Sequence, residues 1–179
     1  DTKKDLLAIT NVAGGPMMVV VPDRSPAKTL QDLIALAKDK PGKLNFGSAG
    51  VGSQVHLAGE NFANAAGISI THVPYKGESA GYNDLIAGQI DLMVGNFAAA
   101  SALLGPGRLR ALAVTSKERT VQLPDIPTVS ESGLPGYVVV NSYVIAGPAK
   151  MAKALVDTIH RSLVDVLHTP DVSSQLIAM

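Results

Sequence analysis

The fold is indicated most clearly by one stretch of the sequence, Phe46-Gly47-Ser48-Ala49-Gly50-Val51-Gly52-Ser53-Gln54-Val55-His56. This stretch ends a short strand in a glycine- and hydroxyl-rich turn and then begins a helix. Glycines let backbone N–H groups approach a ligand, since no Cβ stands in the way. The unpaired amides and the positive dipole end of the following helix favour a carboxylate or a phosphate. The stretch therefore predicts an anion-binding turn; the alternative is a tight strand-to-helix connection that holds no ligand.

Strands alternate with helices on both sides of this turn. The pattern predicts strands at 7–12 and 17–21 around a turn at 13–16, and further strands at 44–47, 68–73, 90–94, 110–115 and 138–145. The predicted helices begin after Thr29, near Ser53, after Ser79, at 95–96, at 149 and at 171. This alternation predicts an α/β sheet covered by helices on both faces, with ligands outside the carboxyl ends of the strands.

Three turns join a predicted strand to the helix that follows: 47–53, 75–79 and 95–96. Because ligands of open α/β sheets bind outside the carboxyl ends of the strands, we expect three helix N-termini to converge there on one anionic ligand. The candidate ligand contacts are Ser48, Gly50, Gly52, Ser53, His56, Tyr75, Gly77, Ser79 and Asn96.

The first turn supplies the main predicted contacts. Backbone amides around Gly50, Gly52 and Ser53 are expected to hold one carboxylate, because hydrogen bonds to an ionised acceptor are the stronger kind. The hydroxyl groups of Ser48 and Ser53 are expected to join them.

The other candidates complete the predicted site. Gly77 and Ser79 add donors, and Tyr75 supplies a wall or a hydroxyl group, with plain packing as its alternative. Asn96 is expected to cap the third helix and face the cleft. His56 is expected to donate from the first turn of its helix, with a structural or solvated histidine as the alternative.

Composition excludes several classes of protein. The chain has 179 residues, of which 46% are hydrophobic, so it buries a real core. Its net charge of +0 means that the chain has no overall excess of positive charge to bind nucleic acid or an anionic membrane surface. Because of this neutral charge, the partner is expected to be small. With no cysteine, disulfides and cysteine-ligated metals are excluded. No apolar run approaches the ~20 residues of a membrane helix.

The motifs of common enzymes fail at specific positions. A phosphate-binding P-loop needs lysine where Ser53 stands, and a dinucleotide fingerprint needs its third glycine where Val55 stands. A hydrolase elbow needs glycine where Phe46 stands. Metal and calcium motifs are absent from the sequence. These failures disfavour nucleotide hydrolysis, and we predict no cofactor. A ligand-sensing module for a signalling partner and an enzyme acting on a small carboxylate are the alternatives to a binding protein.

Ordered motifs over most of the chain resemble the solute-binding receptors of tripartite tricarboxylate transporters, often called the Bug family. The motifs that carry this resemblance are Lys40–Ser48, Gly50–Ser53 with His56-Leu57, Val73–Gly77, Leu85–Asp91, Arg110–Thr115, Leu123–Val129 and Glu131–Gly133. Two features depart from the family pattern. A block that precedes Asp1 in family members is missing, and the stretches at 141–143 and 149–151 lack the expected tryptophan and proline pattern.

The resemblance implies a type II periplasmic-binding-protein-like fold and a periplasmic receptor, and it implies no catalysis. Its two α/β lobes are expected to close on a dicarboxylate, an amino acid or an aromatic acid, and to deliver it to membrane transporter subunits. Residues 22–115 would then be the complete ligand-binding lobe two. Residues 1–21 would be the hinge and part of lobe one, and residues 116–179 would return to lobe one.

The start at Asp1, without an initiator methionine, predicts an N-terminally truncated chain. An incomplete lobe one would expose apolar surface. We therefore expect the chain to dimerise, to swap elements or to be less stable than its longer parent.

Overall fold

The structure is a computed structural model that describes residues 1–178, without the side chains of four residues near the two ends. The elements in chain order are α1 (Thr2–Asp5), β1 (Leu6–Pro22), α2 (Leu30–Asp39), β2 (Asn45–Ser48), α3 (Gln54–Ala66), β3 (Thr71–Pro74), α4 (Glu78–Ala87), β4 (Leu92–Asn96), α5 (Phe97–Ser101), β5 (Leu109–Val114), β6 (Val140–Pro148), α6 (Lys153–Leu167) and α7 (Pro170–Ala178). The last residue of the predicted C-terminal helix, Met179, lies outside the described residues.

The chain divides into two compact units. Unit 1 contains Asp1–Gly14 and the chain from Ser142 onward, and unit 2 contains Gly15–Asn141. The assignment of parts of the chain to lobes of a receptor stays a prediction.

The sheet has the strand order β3-β2-β4-β1-β5, with β6 paired to β1. β2 lies between β3 and β4 and is parallel to both, so the helices α3 and α4 serve as crossover connections. β1 is antiparallel to β4 and to β5. The predicted α/β sheet with flanking helices is confirmed, and the parallel strands direct their carboxyl ends to one edge.

The predicted turn at 13–16 is wrong, because β1 is one continuous strand of 17 residues. Neither Gly14 nor Gly15 has the positive φ that a tight glycine turn often uses. Backbone pairing explains the difference: Met17–Pro22 pairs with β4 or β5 along its length, and β6 also pairs with β1. The glycine-proline stretch is therefore held extended by its neighbours.

The core of unit 2 is built on the centre of the sheet. The side chains of residues 17–21 are fully buried. Successive side chains of a strand point to opposite faces, so both faces of the sheet are covered at this point. Phe46 from β2 and Phe62 from α3 are also fully buried. The packing of α3 against β2 fixes where the first turn of α3 lies.

The helix ends follow the predicted capping residues. Thr29 caps α2, and Asp32 completes a capping box by accepting from the Thr29 backbone N–H. Ser53 caps α3, and Gly67 and Gly88 end α3 and α4 in the left-handed conformation that glycine tolerates. These predicted boundaries are confirmed, because capping depends on local sequence.

Unit 1 contains little buried apolar surface. Its longest helix, α6, has no buried residue among those described. The Ala149 N–H donates to the Asp5 carbonyl at 2.9 Å. His160 Nδ1 lies 3.0 Å from the Ile9 carbonyl oxygen. The single helical turn α1 was not predicted from the sequence.

Candidate ligand-binding site

The three predicted turns lie together at one edge of the unit 2 sheet. The Tyr75 N–H donates to the Ser48 carbonyl at 3.1 Å and joins the first turn to the second. The backbone N–H and the Nδ2 of Asn96 donate to the two oxygens of Glu78 at 2.9 and 2.8 Å, which joins the third turn to α4. The strand order β3-β2-β4 is the cause, because it places the three carboxyl ends side by side.

Three of the predicted donor amides already have hydrogen-bond acceptors within the glycine turn or the first turn of α3. The Gly50 N–H donates to Ser48 Oγ, the Gly52 N–H to His56 Nδ1 and the Ser53 N–H to the Gly50 carbonyl, each at 3.1 Å. Gly50 and Gly52 have φ values of +123° and +78°, which glycine adopts without strain. These amides define the shape of the turn.

Three neighbouring amides have no hydrogen-bond partner within the described part of the chain: those of Val51, Gln54 and Val55. Gln54 and Val55 are the first two residues of α3, whose N-terminal amides have no helical acceptor. Ser53 caps only His56, whose N–H donates to Ser53 Oγ at 3.2 Å. The helix therefore keeps free donors beside the glycine turn.

Two candidate hydroxyl groups have partners inside unit 2. Ser48 is fully buried, and its Oγ lies 2.6 Å from His72 Nε2. Tyr75 donates to Asp84 Oδ2 at 2.9 Å, and burial together with Asp84 raises the pKa of Tyr75 to about 12. Both hydroxyl groups therefore bond to residues of unit 2 and stabilise the turns. A direct contact with a ligand stays a prediction for each.

The N-terminus of α4 lacks a side-chain cap. Gly77, the residue before the helix, has a φ of +108° and no side chain to accept a hydrogen bond. The amides of Glu78, Ser79 and Ala80 have no partner among the described residues. A second set of free donors therefore lies next to the first.

Sequence reasoning missed Glu78 and Asn141. Asn141 is buried, and its Nδ2 donates to Asn96 Oδ1 at 2.7 Å, while Asn96 donates to Glu78. Asn141 lies 45 positions from Asn96 in the sequence, so no local sequence pattern predicts their contact. Asn96 is the N-cap residue of α5, as predicted, but its side chain makes no cap hydrogen bond.

An open cavity of about 530 Å³ lies elsewhere in unit 2, between α3 and residues 133–138. None of the candidate residues lines this cavity, and no charged side chain does. Among the described side chains, no cluster of three or more His, Cys, Asp or Glu is placed to hold a metal ion. No helix within residues 1–178 is both long and apolar enough to cross a membrane.

The fold is that of the type II periplasmic-binding-protein-like α/β proteins. The chain belongs to the TctC family, described as the tripartite tricarboxylate transporter family receptor, whose family model matches residues 1–179. The chain spans about half the length of the curated relatives it matches.

Solved structures agree with this family. The R. palustris protein Rpa4515 with adipate is 30% identical with a TM-score of 0.90, and the match covers 99% of this chain and 60% of that one. The periplasmic binding protein BugD is 30% identical with a TM-score of 0.84, covering 96% and 57%. MatC from Rhodopseudomonas palustris with bound malate is 25% identical with a TM-score of 0.85, covering 94% and 57%.

Proposed function

We propose that this chain is part of an extracytoplasmic solute-binding receptor that captures a small carboxylate and delivers it to a tripartite tricarboxylate-type membrane transporter. One observation carries the proposal: α3 and α4 both keep free N-terminal amides at the same edge of the sheet. Amides at helix N-termini bind anions well, because the helix dipole adds to the hydrogen bonds. Family membership supports the same role.

The amides of Val51, Gln54, Val55 and Ser79 are the donors we assign to the carboxylate. Gly50, Gly52 and Ser53 would shape the turn that presents them, since their own amides have partners within the turn. Hydrogen bonds to an ionised acceptor are about twice as strong as neutral ones, so a few such amides are enough for specific binding.

A dicarboxylate is the ligand class we favour. The adipate and malate bound by two structural relatives are both dicarboxylates. An amino acid and an aromatic acid are the alternative ligands. Periplasmic localisation and transporter subunits as partners are part of the proposal, supported by BugD, a periplasmic binding protein. We propose that the chain binds its ligand without converting it.

An amide-resolved NMR titration tests the proposal. Adipate, malate, glutamate and benzoate are added in turn, with the diamide of adipate as the uncharged control. We expect saturable shifts of Val51, Gln54, Val55 and Ser79 with the matching carboxylates and none with the diamide. The method detects millimolar dissociation constants, equivalent to roughly −4 kcal/mol.

The outcomes separate the alternatives. Flat spectra with all four acids, or equal shifts with the diamide, would contradict carboxylate binding by this chain. Appearance of new ligand signals during the titration would contradict binding without conversion. Saturation by benzoate alone would replace the dicarboxylate with an aromatic acid.

A further inference from the structure

Three aromatic rings stack behind the glycine turn. The ring centroids of His56 and His72 are 3.9 Å apart, with an interplanar angle of 22°. The ring centroids of Phe46 and His72 are 4.9 Å apart, with an interplanar angle of 30°. Three different elements supply the rings: β2, α3 and β3. The stack therefore joins the start of α3 to the two strands beneath it.

Both histidines are hydrogen-bonded to the turn. His56 Nδ1 accepts from the Gly52 N–H at 3.1 Å, so this nitrogen carries no proton. His72 Nε2 lies 2.6 Å from Ser48 Oγ, which also accepts from the Gly50 N–H at 3.1 Å. Each glycine of positive φ at the turn is thus held by a histidine, directly or through Ser48.

The surroundings of the pair favour neutral His72. Burial, and next the neighbouring His56, lower the pKa of His72 from its ordinary 6.5. Glu60 on α3 is the charged group that faces the pair: its Oε1 lies 3.5 Å from His56 Nε2, it is half exposed, and it acts in the opposite direction. β2 and the glycine turn contribute Phe46, Ser48 and backbone, all uncharged.

We propose that His56 and His72 are positioning residues whose stacked, neutral form holds the glycine turn in its carboxylate-binding shape, so that protonation of the pair weakens binding. This inference rests on the proposed function. A proton on His56 Nδ1 turns an acceptor into a donor that faces the Gly52 N–H. Two charged rings at 3.9 Å also repel each other, so the turn loses the contacts that fix Gly52.

The sign of the effect follows from His72. Its pKa in the folded chain is below that of the unfolded chain, so the stabilisation is complete above about pH 6.5 and decreases as the pH falls toward the folded-state pKa. The charged form of His72 therefore gains population only as the pH falls below about 6.5, so the loss of affinity is expected between pH 7.5 and pH 5.5.

The binding test compares adipate titrations at pH 7.5 and pH 5.5. His56→Asn offers a neutral oxygen acceptor to Gly52 at both pH values, so we expect it to bind adipate with little pH dependence beyond that of adipate itself. The unmodified chain is expected to lose several-fold more affinity than His56→Asn at pH 5.5. His168→Asn, which removes an exposed histidine of unit 1, is the matched control and should behave like the unmodified chain. Equal pH dependence of the unmodified chain and His56→Asn would overturn the inference.

A second readout needs no ligand. The amide shift of Gly52 is followed from pH 8 to pH 5 together with the ring nitrogens of His56. We expect the Gly52 amide to titrate with the same midpoint as the pair in the unmodified chain and to stay constant in His56→Asn. A constant Gly52 amide across a titrating His56 ring would overturn the inference, even if no carboxylate binds. A titrating amide without binding of adipate, malate, glutamate or benzoate at pH 7.5 would instead contradict the proposed function alone.

Discussion

Gly52 and Gly42 share a backbone conformation at very different places in unit 2. Their φ values are +78° and +70°, and a Cβ at either position would meet no atom closer than 3.8 Å. Alanine at either site is therefore expected to cost about 1–2 kcal/mol of stability through backbone strain alone. Only Gly52→Ala should also weaken adipate binding, because Gly52 lies in the turn that presents the donors.

Urea unfolding and the adipate titration check this pair of variants. Gly42→Ala is the control for strain, since it lies before β2 and away from the turn. A loss of binding in Gly42→Ala equal to that in Gly52→Ala would show that general destabilisation, and not the shape of the turn, controls binding.

The element that positions the site is α3, and Gly59 sets how closely it packs on β2. A Cβ at Gly59 would clash with Phe46 Cε2 and would lie 2.6 Å from Cδ2. Gly59→Ala is therefore expected to destabilise the chain by about 1–3 kcal/mol, because overpacking a buried ring outweighs the helix preference of alanine. Since Phe46 stacks on His72, the variant should also weaken adipate binding.

Gly81 in α4 is the matched helical glycine. A Cβ there would meet the flexible end of Met93, with Sδ at 3.0 Å and Cε at 3.1 Å, so Gly81→Ala should cost less. Urea unfolding of both variants gives the comparison. If Gly59→Ala is as stable as the unmodified chain, the close contact of α3 with Phe46 is not a constraint on the fold.

At the scale of the whole molecule, exposed apolar side chains are concentrated in unit 1. Tyr143, Ile145 and Leu155 are 55%, 41% and 51% exposed, and α6 buries no described residue. Exposed apolar side chains favour association, because burial removes them from water. We therefore expect the chain to form dimers or larger species whose fraction rises with concentration.

Sedimentation velocity over a range of concentrations measures this self-association. Tyr143→Lys with Ile145→Lys should shift the equilibrium toward the monomer. Val121→Lys is the control, since Val121 is 93% exposed in unit 2 and lies outside that surface. A chain that stays monomeric at every concentration would refute the expected dimer.

Local signals predicted much of this fold. The capping residues Thr29 and Ser53 and the terminal glycines Gly67 and Gly88 marked helix ends that the structure confirms, because each acts through its own neighbours in sequence. The predicted turn at 13–16 was wrong because it also rested on neighbouring residues alone. The glycines permit a turn, but pairing with distant strands holds the chain extended.

The order of strands and helices, the family motifs and the three strand-to-helix turns of the candidate site can all be read from the sequence. Which donors of those turns stay free depends instead on the folded chain. Gly52 is paired to His56, Ser48 to His72 and Asn96 to Glu78, whereas the amides of Val51 and Gln54 have no partner among the described residues. Except for Gly52 to His56, these pairings join different elements 18 or more residues apart, and so depend on the packing of the sheet, which short-range patterns do not encode.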